Sequence, residues 1–414
     1  MRWYFPQYQN ASELDWRQSR LQAIDAWWRA FADHAKRISD AWDTPGSPPV
    51  DLPAFMSQTL QQIDSRLMWE FGPAVKSKGH RLVITPEADH VLRPMVDTLL
   101  KRAPTLEGWE FYGARLSESL ADAESTVQGR TDGSLEHVMV RVETDQSHRI
   151  NLTFLHPDFS GADDQSTRSV AFVGCESLLG ERCLEQWIGS IECDRLDPAE
   201  DLRSDHDARG LIGLDRLCPT VEAVIGARRD QLPAQPLSDM GLHDESGTSA
   251  QNDVLGWATL SLEPPDWKDY PQRSDLFVAV TAWIECCQAT FSRYPFYSES
   301  FSKHGEVFCY LKTDGREGFA QESWEDRSGL EDDLNAALKQ ADAGTVWGGG
   351  TGKIYSYVEF ALTDLKAGLE VIRGVLQKGG IHRRSWILFH DEHLLEEWVG
   401  AYDDTPRPPM PAND

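Results

Sequence analysis

The stretch "TVWGGGTGKIYSYVEFALTD", residues 345–364, sets four glycines and a lysine between Gly348 and Lys353. Such a run suggests a loop that cradles phosphate. That loop needs Gly-x-x-x-x-Gly-Lys followed by Ser or Thr, on a strand-to-helix turn whose amides face the phosphate. Counting back from Lys353, Trp347 stands at the first glycine position and Ile354 at the magnesium-binding hydroxyl. The residues after Lys353 alternate, with Ile354, Ser356, Val358 and Phe360 against Tyr355, Tyr357, Glu359 and Ala361, which is the period of a strand and not of a helix. A dinucleotide fingerprint fails for the same reason. The glycines are therefore expected to form a tight hairpin loop over Gly348 to Gly352, without nucleotide, and no cofactor is assigned to the chain.

Outward from this stretch the pattern is regular. "GEVFCYLKTDG" reads as a strand, and "SGLEDDLNAALKQADAG" as a helix capped by Ser328 and stopped by Gly344. "IYSYVEFAL" is a strand, "DLKAGLEVIRGVLQKGG" an amphipathic helix, and "RSWILFH" a strand. "DEHLLEEWVG" reads as a short final helix capped by Asp391. The order β-α-β-β-α-β predicts a ferredoxin-like domain over residues 301–400, with a disordered tail at 401–414.

Residues 14–42 carry Leu21, Ile24, Trp27, Trp28, Phe31, Ala35 and Ile38 at helical spacing. This predicts an N-terminal helical extension within residues 1–58 that packs on a neighbouring domain. From 59 to 232, strands such as "HRLVITPE" and the hairpin "EHVMVRVET"/"RINLTFLHP" mix with helices, which predicts an α+β domain. Pro94 must kink or restart the helix it falls in. Residues 233–300 read as an acidic connector and bridging segment, since 232–270 hold seven acidic residues and one lysine. The fold class expected is α+β, with mainly antiparallel sheets and helices on one face.

The formal charge is -27, from 40 basic and 67 acidic side chains. Such a field repels nucleic acid and anionic membrane and attracts basic partners. "KSKGHR" (76–81), the nearest approach to a basic patch, reads as a solvated hairpin edge. Fifteen tryptophans spread along the chain read as core and contact residues, not as a stacking surface. Seven cysteines, with no Cys-x-x-Cys, no signal region and no apolar span, predict a soluble cytoplasmic protein with reduced thiols.

Motifs that carry chemistry are sparse. "DHDARG" (205–210) opens like a calcium loop, but Arg209 and Arg216 occupy ligand positions. No Gly-x-Ser-x-Gly elbow occurs. His390, His393 and Glu397, set along a predicted helix, form a weak candidate metal face, although His-Glu-x-x-His is absent. No catalytic residue is singled out.

On "YVEFALTDLKAGLEVIRGVLQKGG" and "RSWILFHDEHLLEEWVG", the segment 306–399 resembles the small ferredoxin-like domains of bacterial regulatory and uncharacterised proteins. Among these is the family of ribonuclease E activity regulator B. Residues 66–229 resemble bacterial domains of unknown function. The resemblance implies an acidic, cytoplasmic binding or regulatory protein and carries over no functional residue. The expected function is non-catalytic protein binding of a regulatory or immunity type, with a basic protein partner favoured by the charge, and with neither nucleic acid nor membrane bound. The rival expectation is an enzyme, a carboxylate- or metal-dependent hydrolase in a cleft between domains.

Overall fold

The computed structural model describes residues 2–6, 10–46, 48–159, 164–196, 210–242, 255–267, 269–314 and 323–409. The would-be calcium loop at 205–209, residues 243–254 of the acidic connector and the last tail residues 410–414 lie outside the described residues. The chain forms two compact units. One is Met1–Arg17 with Gln231–Asp414, the other Gln18–Asp230. The architecture is α+β with mixed and antiparallel sheets. This division differs from the expected one, because residues 233–300 belong to the same unit as 301–400. Among the described residues, no helix is long and apolar enough to cross a membrane.

The unit Gln18–Asp230 holds most of α1 (Ala11–Asp43), then α2 (Leu52–Gln58), β1 (Met68–Pro73), β2 (His80–Thr85), α3 (Arg93–Lys101) and β3 (Trp109–Tyr112). These strands form one sheet, in which β2 and β3 run parallel. The aromatic stripe of α1 is buried against it. Phe31 meets Trp109 and Trp28 meets Phe111 edge-on, at 5.0 and 4.7 Å between ring centroids. Pro94 restarts the helix as expected: a 3-10 turn at His90–Leu92 gives way to α3, whose first turn holds the proline. Next come α4 (Leu120–Thr131), β4 (Met139–Thr144), β5 (Ile150–His156), α5 (Gln165–Leu179), α6 (Glu181–Trp187), β6 (Ile188–Arg195), β7 (Leu211–Gly213) and α7 (Leu217–Gln231). The second sheet has the order β6-β5-β4-β7, with β5 and β6 parallel, and α4, α5 and α7 contribute to its apolar core.

The other unit is built on β8 (Ala258–Ser261), β9 (Leu276–Thr281), α8 (Ile284–Ala289), β10 (Val307–Asp314), α9 (Arg327–Gln340), β11 (Gly344–Gly352), β12 (Tyr355–Leu362), α10 (Leu365–Lys378), β13 (Ser385–Phe389) and β14 (Trp398–Gly400). Its seven-stranded sheet has the order β14-β13-β10-β12-β11-β9-β8, antiparallel throughout.

The glycine run is not a hairpin loop. Gly348–Gly352 is the C-terminal half of β11, paired with β12 as far as Thr351 and with β9 on the other side, and the turn is only Lys353 and Ile354. Glycine is needed there for close approach. A Cβ at Gly349 would lie 2.7 Å from Tyr357 O, and one at Gly350 2.7 Å from Val278 O. A bulge between Val346 and Gly348 marks where the strand tightens.

Two further expectations change. "DEHLLEEWVG" is not a helix but one 3-10 turn, Glu392–Leu394, followed by edge strand β14. The described part of the tail, 401–409, packs against the sheet: Ala401 is fully buried, and Trp386 Nε1 donates to Pro406 O.

Candidate functional site

The seven-stranded sheet has two unlike faces, dictated by alternation along β10, β12 and β13. Cys309 and Leu311, Val358 and Phe360, and Ile387 and Phe389 share one apolar core with residues of α9 and α10. Tyr310 and Lys312, Tyr355, Tyr357 and Glu359, and Trp386 and His390 occupy the alternate positions. Chain from 232–242, 262–267, 269–275 and 290–306, mostly irregular, together with the short helix α8, covers this second face.

Several buried charged side chains of the unit lie on the second face. Glu359 sits at its centre and is buried. Arg273 Nη1 donates to Glu359 Oε1 at 2.5 Å, and His390 Nε2 lies 2.7 Å from Glu359 Oε2. Burial alone would push the Glu359 carboxyl up; Arg273 and His390 outweigh it and hold the group below the usual range. Burial, with Arg273 beside it, holds His390 below an ordinary histidine despite the attraction of Glu359. A neutral ring facing a carboxylate carries its proton on Nε2, so His390 is the donor. The ring also stacks on Tyr310 at 4.8 Å. Arg273 is pinned from other sides by Thr290 Oγ1 and by the ring of Phe291 at 4.1 Å.

A second cluster lies farther along the strands. Asp275 accepts from the amides of Ile354 and Tyr355, at 2.8 and 2.9 Å, and from the Tyr357 hydroxyl. Lys312 is fully buried, donates to Tyr270 O and lies 4.0 Å from the centre of the Tyr355 ring. Burial pulls its amine down to about 7, against the pull of Asp275 and Asp269. Tyr355 in turn bonds Asp269 at 2.9 Å and Arg384 at 2.5 Å.

Chemically, the arrangement ties covering chain to sheet. Arg273, Asp275, Tyr270 and Asp269 belong to the covering segment, while Glu359, Lys312, Tyr355 and Tyr357 belong to the strands. At the far end Asp391 does the same for residue 298, accepting from the Ser298 amide at 2.7 Å and from its hydroxyl. Burial raises this carboxyl to about 6.

The predicted metal face does not assemble. His390 belongs to the Glu359 cluster, and His393 is half-buried on the 3-10 turn. Glu397 accepts the amides of Trp3, Tyr4 and Phe5, at 2.5, 3.1 and 3.0 Å, and so holds the N-terminal segment. A helix would have set the three on one side; a single turn followed by a strand separates them. Among the described residues, no group of three metal-binding side chains occurs.

A groove of about 570 Å³ runs along α10, bordered by Phe5, Leu365, Leu369 and Tyr402. Of the charged residues that line it, Arg373 and Asp403 pair with each other at 2.7 Å, and Arg2 is held by Glu13. In the other unit, a cavity of about 350 Å³ is lined by Arg81, Arg115 and Arg130 with Glu70 and Glu118. Arg115 there reaches Glu70, Glu87 and Glu176, at 3.2, 2.6 and 3.1 Å.

Comparison of the chain with protein-family models, with curated proteins and with solved structures finds no match.

Proposed function

We propose that this is a non-catalytic protein-binding protein, of regulatory or immunity type, whose partner is basic. The observation that carries the reading is the fate of its chemically capable side chains. Arg273, Glu359, His390, Asp275 and Lys312 are all buried, and each is bonded to another part of the same chain. Catalytic clusters hold an acid or base within reach of a bound substrate; here those groups face one another. The metal-dependent form of the alternative, a hydrolase, loses its sequence motivation once His390 binds Glu359 and Glu397 holds the N-terminal segment.

The basic partner follows from charge. The unit Met1–Arg17 with Gln231–Asp414 has 17 basic against 32 acidic side chains, and the unit Gln18–Asp230 has 23 against 35. Both fields draw cations and exclude anions. We also read β10 to β13 with α9 and α10 as a ferredoxin-like unit. The element order β-α-β-β-α-β and the sheet order β13-β10-β12-β11 support this. It is the fold that the resemblance to the bacterial regulators implies.

The test is affinity capture from the native host, followed by association kinetics with the purified partner at low and high salt. The expected partner is basic and associates more slowly as salt rises. A hydrolytic turnover that disappears in a folded His390→Gln variant would overturn the reading.

A further inference from the structure

The two edges of the seven-stranded sheet are treated differently. At β14 the outward carbonyls are occupied: Trp398 O accepts from Arg2 Nη1 at 2.9 Å and Gly400 O from Arg373 Nε at 3.0 Å. Strand β8 ends the sheet on the other side. Its pairing with β9 sets Leu262 opposite Phe277, and the Leu262 amide donates to Phe277 O at 2.9 Å. Hydrogen-bonded pairs alternate along an antiparallel ladder, so Leu260 also bonds inward while Thr259 and Ser261 turn N–H and C=O outward. Both residues are exposed, and among the described residues no strand lies beyond them.

Sheet edges are normally blunted by lysine, proline or a bulge. Ala258–Ser261 has none of these, and prolines appear only at Pro264 and Pro265. Large apolar side chains flank the strand. Trp257, immediately before it, is 48% exposed; Phe277, opposite its end, 39%; and Trp267, after it, 53%. An open ladder with apolar side chains at its ends has the form of a strand-addition site.

We infer that β8 receives an extended segment of the partner, added as an eighth strand and carrying lysine or arginine beside apolar residues. This rests on the binding reading above and locates it. The occupant is a basic chain and not a second copy, because two copies would bring together units that each have 32 acidic against 17 basic side chains. The exposed Glu263 just after β8 sharpens that repulsion and suits a cationic residue on the incoming strand, while Asp266 and Asp269 are already bonded to Lys353 and Tyr355.

The probe is a short labelled peptide alternating lysine and valine, with a glutamate–valine peptide as its counterpart. Fluorescence anisotropy with the full-length protein reads affinity, and amide hydrogen exchange reads residues 257–262. The lysine peptide is expected to bind, more weakly in high salt, and to protect the Thr259 and Ser261 amides. Ser261→Pro removes an outward donor without touching the β8–β9 ladder, and is expected to weaken binding about tenfold. Thr259→Lys, which keeps the backbone, repels the peptide and serves if the proline variant unfolds.

Failure of the lysine peptide to bind the wild-type protein, or equal binding of the glutamate peptide, overturns the inference. Salt-sensitive binding unchanged in both variants overturns the edge site while leaving a cation-binding protein in place. A dimer on size exclusion that Thr259→Lys splits would assign the edge to a second copy, and overturns the basic occupant.

Discussion

The two faces of the seven-stranded sheet bury comparable numbers of large side chains by different means. Beneath α9 and α10 the contacts are Leu, Ile, Val and Phe, and regular helices satisfy their own backbone. On the other face the described covering segments, such as 269–275 and 290–306, hold little regular structure to do so, and ion pairs and hydroxyls fasten them to the strands. The lesson is that a dense cluster of buried charge can be a consequence of what covers a sheet. It need not mark a reaction centre.

The largest expected effects come from breaking each face by one residue. Glu359→Ala leaves the buried Arg273 unpaired and is expected to cost about 3–5 kcal/mol in urea unfolding. Leu334→Ala, under the helices, is expected to cost about 2–5 kcal/mol through lost burial and a cavity.

Glycines sharpen the contrast at a smaller scale. Gly349→Ala drives a methyl into Tyr357 O and Glu331 Oε1, and is expected to destabilise by about 1–3 kcal/mol. Gly374→Ala, on α10 with nothing within 4 Å of its Cβ, is expected to stabilise by about 0.5–1 kcal/mol. Denaturant midpoints measured side by side decide both.

How much of the fold is legible in the sequence depends on the range of each signal. The elements β10 to β13 announce themselves because alternation and helical stripes are local patterns. The glycine strand does not. Glycine is depleted in strands, and its use here depends on neighbours that pair with it across the sheet. Strands β8 and β9 fall in what composition marks as connector and bridge. For β8 the prolines and acids around it outweigh a four-residue strand, although the strand at 276–281 is legible from "LFVAV". The Arg273–Glu359–His390 cluster joins residues 86 and 31 positions apart, and no spacing rule reaches that far. Sequence reasoning reaches His390 for the wrong reason: the helix expected to align it with His393 and Glu397 is a turn and a strand. Of the seven acidic residues of 232–270, Asp244, Glu245 and Asp253 lie outside the described residues.

One buried group on each face should respond oppositely to pH above about 6, where Asp391, raised to about 6, has already titrated. Glu331, on α9, is raised by burial to about 7, so its contribution is present below about 4.5 and is lost as pH rises through 7. Lys312, on the other face, is lowered to about 7 from 10.5. Above 7 the unfolded chain holds the proton that the folded chain has released, and stability rises with pH. The window ends near 9, where the buried thiols, raised to about 11 at Cys183 and Cys287, begin to act in the opposite sense. Above pH 6, past the titration of the buried Asp391 carboxyl, thermal unfolding up to pH 9 is expected to lose its fall in Glu331→Gln and its rise in Lys312→Met. Smallest of all is the exposed Lys353–Asp266 pair, whose removal by Lys353→Ala is expected to leave the urea midpoint essentially unchanged, because solvent screens the pair.

The most direct test of the claim that the charged face is structural compares Glu359→Ala with the double variant Arg273→Met/Glu359→Leu in urea unfolding. If the cluster serves to fasten covering chain to sheet, apolar groups of similar size can replace it, and the double variant recovers most of the stability that the single variant loses. A double variant no more stable than Glu359→Ala would contradict the account.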